Sequence, residues 1–133
     1  MQFTLQQVAE FAFHNRGLQA FQDSTELGIA AEILKCANGN TLIFVTDPTE
    51  RFLCGVATGE LFRKDFANRR TMHVNNIVTT HPAAMQAILI QFLIRWPDCD
   101  LQAYRKGKLR RYDLGRLRHS LAIYPTQQHC LAA

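Results

Sequence analysis

Residues 71–105 constrain the fold more than any other stretch, because their hydrophobic period changes twice. "TMHVNNIVTT" reads as a strand. Pro82 then stands at a first helical position, where a missing N–H costs nothing, and an apolar helix runs to Trp96, where Pro97-Asp98 stops it. "DLQAYR" returns to strand character. A strand–helix–strand unit from Met72 to Arg105 implies a parallel pair joined by a right-handed crossover. The helix is apolar nearly all round, as a helix packed on a sheet and covered on its outer side would be.

The preceding elements set the rest of the layout. Thr4 caps a first helix in which Leu5, Val8, Ala9, Phe11, Ala12 and Phe13 recur at helical spacing until Asn15-Arg16-Gly17. Ser24 is the candidate cap of a second helix. Its expected buried face is Leu27, Ala30, Ala31, Ile33 and Leu34, and Asn38-Gly39-Asn40 stops it. "TLIFVT" and "FLCGVATGELF" then read as an antiparallel hairpin around "DPTER". Gly55 and Gly59 in its second strand suggest a bulge or a close approach by another backbone. These residues predict an α+β domain over 1–133: a mixed, mostly antiparallel sheet with strands near 41–46, 52–62, 71–79 and 100–105, crossed by the 82–96 helix. "KGK" is a turn into "LRRYD", "LGRLRHSLA" a short last helix, and the tail from about residue 122 is expected to fray.

A chain of 133 residues fits one domain, and at that size it buries enough surface to fold without staples. The four cysteines show no CxxC spacing and suit free thiols in a reducing compartment. The most apolar run, Ala83–Trp96, is interrupted by Gln86, Gln91 and Arg95 and is shorter than the roughly 20 residues a bilayer span needs. With no basic, apolar leader at its start, the chain is expected to be cytoplasmic and off the membrane. Charge is divided unevenly: residues 1–50 carry two basic and six acidic side chains, residues 51–133 thirteen basic and five acidic. Such an asymmetry attracts anionic partners to one half, or lets copies of the chain pair as a salt-sensitive homo-oligomer.

The element order, together with "NNIVTTHP" at the end of the third strand, resembles the GNAT acetyltransferase fold over about residues 1–105. That resemblance implies a GNAT-like scaffold, and for an enzyme of the family it implies acetyl-CoA. The family's acyl-CoA enzymes wrap the pyrophosphate with Gln/Arg-x-x-Gly-x-Gly/Ala between this strand and helix. Here the junction is Thr79-Thr80-His81-Pro82-Ala83-Ala84, without glycine, and no position matches. Side chains at those positions block the close approach of phosphates that glycine permits. The resemblance therefore implies a scaffold without its cofactor loop.

Three residues of the third strand are candidates for chemistry. By the period of two, His73 and Asn75 share a face with Ile77, while Asn76 points with Val74 and Val78. Adjacent asparagines in an apolar strand cost free energy unless hydrogen-bonded. They mark either a small polar site with His73 as general base, or a β-bulge or exposed sheet face. His81, just before the helix, is either an anion contact beside the N–H groups of Ala83 and Ala84 or an exposed turn residue. Cys54, in a strand beside Gly55, is either a nucleophile or a core thiol, with nothing nearby in sequence to favour the thiolate, and no metal-ligand spacing occurs.

The strongest local signal is "YRKGKLRRYDLGRLRH", with Arg105, Lys106, Lys108, Arg110, Arg111, Arg116 and Arg118 against Asp113 alone. Cations attract phosphates irrespective of sequence, and a tyrosine such as Tyr104 stacks on unpaired bases. Arg69 and Arg70 extend the patch if they fold nearby. The sequence thus points to a small binding module for an anionic partner, nucleic acid or an acidic protein surface, with no cofactor. An acyltransferase with an atypical coenzyme site, using His73, Asn75 and Asn76, and an oligomer-forming structural protein are the alternatives.

Overall fold

The computed structural model describes residues 3–17, 20, 21, 24–63, 70–105, 108–112 and 129–132. In chain order the elements are α1 (Leu5–Asn15), α2 (Glu26–Asn38), β1 (Leu42–Thr46), β2 (Leu53–Arg63), β3 (Arg70–Thr79), α3 (Pro82–Arg95), β4 (Cys99–Arg105), β5 (Lys108–Tyr112) and β6 (His129–Ala132). The strands form one mixed sheet in the order β5-β4-β3-β2-β1-β6. Only β3 and β4, the two strands joined through α3, run parallel. The chain is therefore α+β, with the expected crossover helix. The tail departs from expectation. Where fraying was expected, His129–Ala132 pair antiparallel with Ile43–Thr46 and cover the free side of β1. The short helix expected within 114–122 lies outside the described residues.

Local chemistry explains the helix ends. The Thr4 hydroxyl accepts from the Gln7 N–H while Gln7 Oε1 accepts from the Thr4 N–H, a reciprocal pair that satisfies two free donors. The cap of α2 is Thr25, whose hydroxyl accepts from the Gly28 N–H; Ser24 lies one residue outside. The buried face of α2 also differs from expectation. Ile29, Ile33 and Cys36 face the sheet, whereas Leu27 is 83% and Leu34 50% exposed. Because α2 is apolar on more than one side, its composition does not say which stripe meets the sheet.

Two apolar layers sandwich the sheet. On one side α1 and α2 cover Leu42, Phe44, Val56 and Val78. On the other, α3 lays Ala84, Ala87, Ile88 and Phe92 over Ile43, Val45, Ala57, Met72 and Val74. The two strand glycines set how closely α3 approaches. A Cβ on Gly55 would sit 2.9 Å from Ile88 Cδ1, and one on Gly59 would sit 2.8 Å from Met72 Sδ and 3.0 Å from Phe92 Cε1. Side chains, and not another backbone, occupy the space the glycines leave. Cys36, Cys54 and Cys99 are free thiols. Among the described residues, no helix is long and apolar enough to cross a membrane.

Candidate functional site

A bulge in β3 organises the polar residues of that strand. Thr58 pairs with Asn76 and Gly59 with Val74, so Asn75 is an extra residue with no partner on β2. Alternation restarts there. Met72 and Val74 face α3, and so does Ile77, three residues beyond Val74. Asn76 and Val78 face the α1/α2 layer. The expected grouping of Ile77 with His73, and of Val74 with Asn76, is thus corrected by one inserted residue. Asn76 proves to be structural. Its Oδ1 accepts from the Phe21 N–H at 2.9 Å and its Nδ2 donates to Thr58 Oγ1 at 3.1 Å, pinning the connector between α1 and α2 to the sheet. Phe21 holds a positive φ of 52°, a conformation that this hydrogen bond supports.

His73 takes its place in a different constellation. It pairs with Glu60 on β2 and with Gln102 on β4, and Gln102 Nε2 lies 3.3 Å from its Nδ1. Its ring meets Phe62 edge-on at 6.3 Å between centroids and Tyr104 at 5.5 Å. The three rings form a row across β2, β3 and β4, on the sheet face opposite α3. Phe62 is 44% exposed and Tyr104 64%, so α1 and α2 leave this part of the face open. Through the pairing of Tyr104 with Leu109 and Gln102 with Arg111, strand β5 adds Leu109 and Arg111 to the same face.

The basic residues divide by register. Lys108, Arg110 and Arg111 are all exposed on the edge strand β5. Arg110 pairs with Ala103, which belongs to the α3 side, so Arg110 and Lys108 project from the opposite face to Arg111. Arg70, exposed, begins β3 and shares the α3 side with Met72. Arg105 ends β4, while Arg69, Lys106, Arg116 and Arg118 lie outside the described residues. Sequence reasoning singled out His73, Tyr104 and Arg111 but missed Phe62, Gln102 and Leu109. The available signal was the alternation in "DLQAY", with apolar Leu101 and Ala103 against Asp100, Gln102 and Tyr104, which marks a face outside the core.

The remaining candidates have ordinary structural roles. His81 is the cap of α3: its Nδ1 accepts from the Ala83 N–H at 3.1 Å and its carbonyl from the Ala84 N–H at 3.0 Å. The donors proposed for an anion are therefore already engaged. An open cleft of about 450 Å³ lies there, between Thr79, Thr80, His81, Pro82, Met85 and Gln86. Burial pushes the Cys54 thiol above its usual range, and the charge of Asp47 adds to this, which disfavours the thiolate a nucleophile requires. Among the described residues, no cluster of His, Cys, Asp and Glu is placed to hold a metal ion. Comparison with protein-family models, with curated proteins and with solved structures returns no match.

Proposed function

We propose that the chain is a small module that binds single-stranded nucleic acid across the open end of its sheet. The observation that carries this reading is the row of exposed Phe62, half-buried His73 and exposed Tyr104, flanked on the same face by Arg111. Bases have π-faces that stack on aromatic rings, and a four-stranded sheet presenting such rings is a recurrent solution for unpaired bases. Duplex DNA hides those faces, so the platform favours single strands. The cations of the edge strand supply attraction to phosphate from both sides of the sheet. Arg105, Lys106, Arg116 and Arg118 belong to the same basic run of the sequence, and Arg69 and Arg70 are a separate basic pair, of which Arg70 begins β3.

The second reading, an acyltransferase, draws support from the cleft at the β3–α3 junction. Against it stand the junction without glycine and the engaged N–H groups of Ala83 and Ala84. Mobility shifts with single- and double-stranded probes at two salt concentrations test the first reading. Tyr104→Ala and Phe62→Ala are each expected to weaken single-strand binding by about five- to 150-fold, from roughly 1–3 kcal/mol of stacking per base. No shift with either probe at low salt overturns it.

A further inference from the structure

Beside the bulged Asn75 lies a second, smaller cleft, of about 240 Å³, at the border between the open face and α2. Glu32 and Lys35 of α2, Glu60 of β2 and Asn75 of β3 line it. Glu60 is the register partner of His73, and Asn75 lies two residues along β3, roughly 7 Å from it at a rise of about 3.3 Å per residue. A nucleotide stacked on the aromatic row therefore has this cleft as its neighbour. We propose that the cleft is a pocket for a guanine base, an inference that rests on the reading of the open face as a single-strand platform.

The chemistry of the lining selects the base. The volume is slightly below the roughly 300–1,000 Å³ of sites for drug-sized ligands, a size that suits one base and not a folded element. Two carboxylates repel phosphate, so the base enters and the backbone stays over the cationic side. A carboxylate offers two acceptor oxygens side by side, and guanine alone among the common bases presents two adjacent donors, N1–H and N2–H₂, on its Watson–Crick edge. Lys35 and the Asn75 amide supply donors for O6. Adenine and cytosine set a ring nitrogen acceptor next to their amine, which would face a carboxylate oxygen lone pair to lone pair. Uracil has one N–H between two carbonyls. Cys36, at the back of the cleft, adds no charge: burial pushes its thiol up.

The test is fluorescence anisotropy with labelled RNA pentamers, uridine throughout except for guanosine, inosine or adenosine at the centre. Guanosine is expected to bind at least tenfold tighter than adenosine, with inosine, which lacks the N2 amine, in between. In the Glu32→Gln/Glu60→Gln double variant, checked for folding by circular dichroism, the guanosine-to-adenosine ratio should fall to about one. Equal affinities for the three pentamers, or a ratio the double variant leaves unchanged, overturn the pocket and leave the platform standing. Failure of every pentamer to bind removes both.

Discussion

Replacing Gly59 by alanine tests the packing that holds the open face in place. The added methyl would lie 2.8 Å from Met72 Sδ and 3.0 and 3.3 Å from two ring atoms of Phe92. Both neighbours are fully buried, at 0% exposure, so neither can swing into solvent to relieve the contact. Overpacking of this kind costs roughly 1–3 kcal/mol. Set against a mid-range packing cost of about 2 kcal/mol, the reduced freedom of the unfolded chain returns roughly 0.4–1 kcal/mol, leaving a net loss of about 1–2 kcal/mol. For 133 residues, an unfolding entropy of about 2.1 cal/mol/K per residue converts this to a fall in Tm of about 4–7 °C. Thermal and urea melts followed by circular dichroism measure it. Gly17→Ala is the control, since among the described residues no atom beyond its chain neighbours lies within 4 Å of its added Cβ, and it should be neutral or slightly stabilising. Combining Gly59→Ala with Phe92→Leu should recover at least about 0.5 kcal/mol relative to the sum of the single changes, because the two act on one contact. A Gly59→Ala protein as stable as its parent would refute the reasoning.

Among the cations, Arg111→Ala should weaken single-strand binding more than Arg110→Ala, because only Arg111 shares the face of Tyr104; equal losses would argue against the platform. If about four phosphates are engaged, log affinity against log salt should have a slope near −3, and losing one contact should reduce it by about 0.7. Calorimetry with acetyl-CoA is expected to give no tight binding, and micromolar affinity would instead favour the acyltransferase reading. In the β1–β2 loop, Asp47 is held below the usual carboxylate range chiefly by its hydrogen bond from the Thr49 hydroxyl, then by the N–H groups of Phe52 and Arg51. A lowered pKa means a contribution present above the ordinary carboxylate value and lost as pH falls through the depressed one. The Arg51 and Phe52 amides should therefore lose hydrogen-exchange protection below that point, and amides indifferent to acid would refute it.

What was legible in the sequence follows from how local each signal is. Pro82, the apolar run behind it and Pro97 are neighbours in sequence, and they place α3 at 82–95 without reference to the rest of the chain. The hairpin around Asp47-Pro48 and the capping by Thr4 are similarly local. The choice between two apolar stripes on α2 depends on where the sheet lies, and Leu27 and Leu34 carry no mark that they stay in water. Strand β6 depends on a partner more than eighty residues away, and "HCLA" alone has no strong strand pattern. The aromatic row is the least legible feature. Phe62, His73 and Tyr104 come from three strands, and only the mixed pairing of β2, β3 and β4 sets them side by side.

The bulge at Asn75 has a consequence for how this chain can vary. It acts as a phase shifter within β3: before it Met72 and Val74 point to α3 and the parallel register with β4 ends at the Val74–Ala103 pair, while after it Asn76 and Val78 point to the α1/α2 layer and Ile77 to α3. Deleting this one exposed residue would advance one half by half a period, turning Met72 and Val74 toward water and driving His73 into the core under α3. Substitution at Asn75 should be tolerated where deletion is not. For folding, the position is thus constrained in length and not in identity, its side chain being left to the cleft it lines, and each half of the strand can change its side chains without retuning the other.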